Sequence, residues 1–485
     1  MSVQAQTGLN EVPTCHGGYE NLDTEYDYWI GDVEGEIPAD LRGTFLRNGP
    51  GRQKIGGETY GHWFDGDGML SAFTFSDAGV RFRNRYVRTT KYLAETAAQK
   101  VLYRGFGTQI PGGWTKNMFK FPANPSNTSV IYHAGRLLTL NEGGKPWQLE
   151  VGSLKTIGEF DYNGELTGRA FSAHGKVHPS TGDYINFGSG SSPWRLGKLP
   201  QPCLDLYRIN KTGHVARTNR ILLDTFPFCH DFAMSDRFGI FFINSIVIDG
   251  MGGFFLGLHS LSDRIHFDHD QPMKIVVVDL DSLETVAQFE TDPGAIIHFG
   301  NAFEEGEELL VDGMFTADFE GNDVLSDILN PHGRIGGGEY RRFRLNLRTG
   351  SVSSDRVCEY ESEFPTFDTR LAGSRHSLTY TACSVDNGAD SFYNAIARID
   401  FEGEAELLTL EPGCYGSEPL FVPAAGSICE ADGYLLEVVY NACTHLSELR
   451  VFRADDLSGP VAVARLGHHL PHQFHGHFSA APLMS

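Results

Sequence analysis

Short apolar runs broken by polar, glycine-bearing turns recur along the whole chain, and an apolar stripe with helical spacing is hard to find anywhere. Runs of this length bounded by turn residues mark strands. They fall at 43–48 (G-T-F-L-R-N), 72–76 (A-F-T-F-S), 136–141 (R-L-L-T-L-N), 240–248 (I-F-F-I-N-S-I-V-I), 274–280 (K-I-V-V-V-D-L) and 434–440 (Y-L-L-E-V-V-Y). One helix is predicted, over Leu93–Leu102, where Ala, Glu and Lys dominate. The fold class is all-β.

A second pattern is superimposed on the first. An apolar strand enters a polar turn and a new strand in L-Y-R-I-N-K-T-G-H-V, V-V-D-L-D-S-L-E-T-V, F-R-L-N-L-R-T-G-S-V, A-R-I-D-F-E-G-E-A-E and V-F-R-A-D-D-L-S-G-P-V. These units begin near residues 206, 277, 343, 397 and 450 and read as the outer hairpins of successive similar blades. A spacing of about 50 to 70 residues suits a β-propeller with insertions and is too long for a sandwich or a jelly roll. No linker or low-complexity segment divides the chain, so a single catalytic domain is expected over 25–485, after an N-terminal tail at 1–24.

Composition narrows the partners. Among 485 residues, 39 Lys and Arg face 62 Asp and Glu, a formal charge of −23. Such a surface repels a nucleic-acid backbone, so nucleic acid is not an expected partner. The eight cysteines form no C-x-x-C pair, and the first residues lack the charged and apolar regions of a signal peptide. Reduced thiols in a cytoplasmic protein, acting as a monomer, are the expectation. No run approaches the roughly 18 to 20 apolar residues of a spanning helix, which leaves only superficial membrane contact.

Several chemical signatures are absent: H-E-x-x-H, G-x-x-x-x-G-K-[ST] and G-x-S-x-G do not occur. Asp65 and Asp67 in F-D-G-D-G-M lack the later ligands of a calcium loop and read as a tight turn. Four histidines remain conspicuous: His174 in F-S-A-H-G, His230 in F-C-H-D-F-A, His298 in I-I-H-F-G and His475 in Q-F-H-G-H-F. In apolar surroundings an imidazole needs a partner or a metal. A single such histidine is more often a hydrogen-bonded core residue than a ligand. Glu142, Glu363 and Glu418 also have apolar or proline neighbours, where a carboxylate is costly unless it accepts a strong hydrogen bond. The N–H of a metal-bound imidazole is one such donor.

The segments R-N-G-P-G, F-D-G-D-G-M, S-A-H, H-D-F-A, N-A-F-E-E, E-F-P, S-E-P-L-F-V-P and F-H-G occur in the order found in the carotenoid cleavage oxygenases, over roughly residues 25 to 478. The chain resembles that family, and its apocarotenoid-cleaving members most, through Y-D-Y-W, E-G-E-I-P-A-D-L and Y-R-G-F-G-T-Q-I-P-G-G-W. The resemblance implies a seven-bladed β-propeller with a helix and loop cap over one face. One Fe2+ per chain would be ligated by His174, His230, His298 and His475. Glu142, Glu363 and Glu418 would each take the N–H of one of the last three histidines without touching the metal. O2 would be the co-substrate, and a C=C bond of a lipophilic polyene would be cleaved to two carbonyl products.

The resemblance places Thr128, Asn141, Phe228 and Ile297 along the substrate tunnel, with Thr128 crowding an open coordination position. Asn141 stands where the apocarotenoid-cleaving members carry tryptophan, and Ile297 where an aromatic precedes the third histidine. A wider or more polar tunnel is expected from these changes. Stilbene-cleaving members of the family carry a lysine at the position of Asn141, which favours a carotenoid or apocarotenoid over a stilbene or phenylpropene substrate. An oxygen-independent polyene isomerase and a non-catalytic polyene-binding propeller are the other readings. Segments 114–121 (W-T-K-N-M-F-K-F) and 251–258 (M-G-G-F-F-L-G-L) match regions near the tunnel mouth and are expected to form an apolar patch for superficial membrane contact.

Overall fold

The computed structural model describes residues 14–194, 199–326, 337–385 and 392–484. Residues 1–13 of the expected tail lie outside them. The apolar runs become the strands of small antiparallel sheets, following one another in chain order. One sheet joins the two ends of the chain: Gly43–Arg52 pairs with Asp67–Ser76 on one side and with C-terminal Gly476–Ser479 on the other. Three four-stranded sheets follow, starting at Ser129–His133, Lys176–Val177 and Ala233–Met234. A seven-stranded sheet runs from Ala295–Glu305 to Ala405–Thr409. The last sheet, built on Gly433–Asn441, takes Asp32–Gly35 from the N-terminal region at its edge. All five polar-turn units read from sequence are antiparallel hairpins, among them Pro202–Ile209 with Val215–Leu222 and Leu446–Arg453 with Pro460–Arg465.

The core lies between these sheets. Leu46 and Leu70 of the first pack on Val130 and Leu137 of the second, Leu138 of the second on Tyr207 of the third, and Phe187 of the third on Phe241 of the fourth. Phe242 meets Phe299, Tyr380 meets Leu435, and Leu436 meets Phe45 of the first sheet. Face-to-face burial that passes from each sheet to the next is the packing of a propeller-like fold. The connections at the inner ends of the strands then meet near a common centre.

Four details depart from the sequence reading. The helix is Thr90–Ala98, opened by the Thr89 hydroxyl capping Tyr92 N–H and closed by left-handed Gln99 at φ 51°, so it starts and stops earlier than Leu93–Leu102. The run at 240–248 breaks into Phe238–Ile243 and Ile246–Ile248 because Asn244 leaves its strand to exchange two hydrogen bonds with the backbone of Ile296. Within the stretch expected as a tail, Cys15, Tyr19 and Leu22 are buried. Asp65 and Asp67 do more than shape a turn. Asp65 accepts the N–H groups of Phe106, Gly107 and Thr108, and Asp67 lies buried between Arg52, Lys91 and Tyr60.

Candidate metal centre

Each of the four histidines sits where its sheet gives way to irregular backbone. His174 lies in the turn before Lys176–Val177, and His230 in the bend before Ala233–Met234. His298 lies at the register shift between Ile296 and Phe299 inside Ala295–Glu305, and His475 directly precedes Gly476–Ser479. A bulge or strand end re-aims a side chain that regular alternation would send into a blade core. The fold thereby brings together residues up to 301 positions apart, and the candidate ligand atoms of all four lie within 4.8 Å of one another.

A metal fits this arrangement. Metal–imidazole nitrogen bonds are about 2.0–2.1 Å for zinc, so ligands on opposite sides of an ion lie roughly 4.2 Å apart. The Nε2 atoms of His174 and His298 are buried with no hydrogen-bond partner. On the other ring edge three of the four histidines meet a carboxylate: His230 Nδ1 lies 2.6 Å from Glu142, His298 Nδ1 2.5 Å from Glu363, and His475 Nδ1 2.9 Å from Glu418. A carboxylate at Nδ1 fixes the tautomer that leaves Nε2 with a lone pair for a cation. Glu142, Glu363 and Glu418 thus each meet the Nδ1 of one histidine, and all four imidazoles converge. Among the described residues, no other group of three or more His, Cys, Asp or Glu converges in this way.

Burial favours the neutral form at two of the four imidazoles. Burial, followed by the facing His230, His475 and His298 rings, holds His174 well below the usual histidine range. Burial likewise lowers His475, despite Glu418. At His230 burial acts in the same direction, but the Glu142 carboxylate outweighs it and raises the net basicity. Burial would raise Glu142 and Glu418; their histidine partners, and for Glu418 also Arg47, overcome it and hold both carboxyls below the usual range. The Glu142 side chain itself stays 45% accessible.

The tunnel residues resolve differently. Phe228 packs 5.3 Å from Phe319 in an apolar group with Phe106, Ile248 and Phe267, and Ile297 is half-buried next to His298. Thr128 is buried, and its carbonyl accepts the His475 N–H. Asn141 donates from its amide nitrogen to Asn127 and to the Thr128 hydroxyl, while its oxygen accepts Gly143 N–H. Both of its amide hydrogens are engaged. His178 and His472 lie outside the four-histidine group and contact the backbone carbonyls of Asp236 and Cys15.

Three contributors escaped the sequence reading. Arg47, fully buried, donates to the Glu418 carboxylate and to the carbonyls of Glu418 and Phe474. Phe364 has a left-handed φ of 54° and lays its ring 5.1 Å from His298 and 5.4 Å from His475. A phenylalanine held in that region is strained, and its N–H donates to Glu363. Asp231 is the third. The segments R-N-G-P-G, E-F-P and H-D-F-A contain the three, but no local pattern marks their roles.

Comparison with known proteins agrees with the geometry. The model of the family described as retinal pigment epithelial membrane protein matches residues 19–480. The chain is 35% identical to the apocarotenoid-15,15'-oxygenase of Synechocystis, over 95% of this chain and 94% of that protein. It is 28% identical to isoeugenol monooxygenase of Pseudomonas nitroreducens, covering 93% and 95%, and 28% identical to carotenoid 9,10(9',10')-cleavage dioxygenase of Crocus sativus, covering 92% and 85%. Among solved structures, cobalt-substituted Synechocystis apocarotenoid oxygenase superposes with a TM-score of 0.88 at 33% identity, covering 96% of this chain and 98% of that one. With a family match over nearly its whole length and a propeller-like fold in common, the chain belongs to the retinal pigment epithelial membrane protein family, the carotenoid cleavage oxygenases.

Proposed function

We propose that the protein is a non-haem iron(II) dioxygenase that cleaves a C=C bond of an apocarotenoid or carotenoid, adding one oxygen atom to each carbon to give two carbonyl products. The observation that carries this is the set of four converging imidazoles, three of them braced at Nδ1 by Glu142, Glu363 and Glu418. His174, His230, His298 and His475 would hold the iron, as four neutral ligands that leave its charge uncompensated. Bound ferrous iron supplies the activation of dioxygen. The glutamates orient the rings and raise their basicity. Thr128, fixed by Asn141 and by its own backbone, narrows the space beside His475.

The substrate needs no ligating atom, because position along an apolar wall selects the bond. Phe364, Phe228 and Ile297 supply that wall, and Asn141 offers no free donor to a phenol, which favours a polyene over a stilbene or phenylpropene. The scaffold we propose is one catalytic domain with seven blades, the 15-residue strand Val352–Thr366 serving two of them within the seven-stranded sheet. Apolar clusters that link successive sheets back to the first support that count. The helices Thr90–Ala98, Trp114–Asn117 and Met251–Phe255, with their loops, would form the cap.

A lipophilic substrate is collected at a surface. Trp114, Phe119, Phe121, Leu256 and Leu258 are exposed, Phe119 to 68%, and Phe119 N–H donates to the Phe255 carbonyl, joining 114–121 to 251–258. Buried Arg104 ties both segments through the carbonyls of Asn117, Lys120, Phe254 and His259. This patch would dip into a membrane by apolar area, since the net charge opposes anionic lipid. Among the described residues no helix is long and apolar enough to cross a membrane.

The test is product chromatography with mass detection on a panel of apocarotenals, one full-length carotenoid and resveratrol, in air and under anaerobic conditions. Oxygen-dependent aldehyde pairs and about one iron per chain are expected. Undiminished anaerobic turnover would point to an isomerase, and intact substrate recovered from a tight iron-containing complex would point to a binding protein. No iron after anaerobic ferrous loading would refute the metal assignment.

A further inference from the structure

Asp231 follows His230 directly and is only 3% exposed. One of its oxygens accepts Phe232 N–H at 2.7 Å and faces Lys176 Nζ at 3.0 Å; the other accepts Phe299 N–H at 2.9 Å. Phe299 is the residue after His298, and Lys176 lies two after His174. The Asp231 side chain therefore contacts the backbone beside two candidate ligands and the side chain beside a third. Ser172 adds a second tie, accepting His174 N–H and donating to the His230 carbonyl. The fourth histidine has its own anchor in Arg47 and Glu418.

We propose that Asp231 is a positioning residue that sets the spacing of His174, His230 and His298 before a metal arrives. The proposal rests on the four-histidine reading of the site. Its physical reason is the isolation of the ligand segments. They come from three different sheets, and each leaves its regular ladder at the histidine, so the ladders do not set the distances between rings. A buried carboxylate with charge-assisted bonds to two backbone N–H groups and one ammonium does so at a single point. Removing one acceptor leaves Phe299 N–H or Phe232 N–H unpaired in the interior, and the segment relaxes to find another partner. Asp231 makes no hydrogen bond to the ligand nitrogens.

The experiment uses the full chain stripped of metal by chelation and titrated with Co2+, followed by the visible ligand-field bands, together with thermal unfolding and kcat and KM on a cleaved apocarotenal. Asp231→Asn, which keeps the shape but presents one acceptor fewer, should weaken Co2+ binding 10-fold or more and shift the bands, with kcat falling more than KM rises. Lys176→Met, a partly exposed residue whose loss leaves the fold intact, should weaken binding a few-fold with a smaller shift of the bands in the same direction. Wild-type Co2+ affinity and unchanged bands in both variants would overturn the proposal, whatever the melting temperatures do. Failure of the wild-type chain to bind Co2+ would instead remove the metal-site reading beneath it.

Discussion

Glu437 is a buried carboxylate that the proposed chemistry does not use, and it provides a stringent test of the interior electrostatics. One oxygen accepts Ser417 N–H; the other is buried without a partner. Burial pushes its carboxyl up from 4.5 to about 7, against the lowering influence of Arg450, Ser417 N–H and Arg47. A folded pKa above the unfolded one means that the folded state binds the proton more tightly. The associated stability is full below pH 4.5 and is lost as pH rises through 7. Each unit is worth about 1.4 kcal/mol, so about 2.5 units correspond to roughly 3 kcal/mol, of which about 2 to 3 fall between pH 5 and pH 8. Glu437→Gln carries no titrating group and escapes that loss. Its stability relative to wild type, from urea unfolding at equal metal loading, should therefore rise by about 2 to 3 kcal/mol between pH 5 and pH 8. Any fixed cost of the amide cancels in that difference. A relative stability that is flat or falls with pH would show that Arg47 and Arg450 keep Glu437 ionised in the folded state, and would refute the reasoning.

Other perturbations address the site and its surroundings. Glu363→Gln should keep the fold and weaken metal binding about 10- to 100-fold, as removal of a carboxylate behind a ligating histidine does; wild-type metal retention on dialysis would count against its role. Asn141→Trp should narrow the tunnel and release the Thr128 hydroxyl, shifting relative kcat/KM among apocarotenals of different length, whereas an unchanged ranking would place residue 141 outside the substrate path. Replacing Phe119 and Leu258 together by Asp removes two side chains whose burial contributes about 1.5–3 kcal/mol each, so binding to neutral phosphatidylcholine vesicles should fall 100-fold or more. Equal sedimentation of the two proteins with vesicles would exclude that surface.

The sequence alone determined the kind of fold and the cast of residues at its centre. Short apolar runs and five similar polar turns are local signals, written in the period-two pattern and turn chemistry that every outer hairpin must satisfy, and they reappear in the structure as paired strands. The four histidines and three glutamates were visible as polar groups in apolar company, and family resemblance sorted them from the fifteen other histidines. Local pattern failed where long-range partners outweighed it. Asn244 broke an apolar run to bind Ile296, and Asn141 spent its amide on Asn127 and Thr128. Only the tertiary structure decided which carboxylate meets which imidazole, that Arg47 stands behind Glu418, and that Asp231 ties three ligand segments together. Those contacts join residues up to 371 positions apart. Nothing in either local segment encodes such a contact, because it exists only once the sheets have packed into one body and brought the inner ends of their strands to the centre.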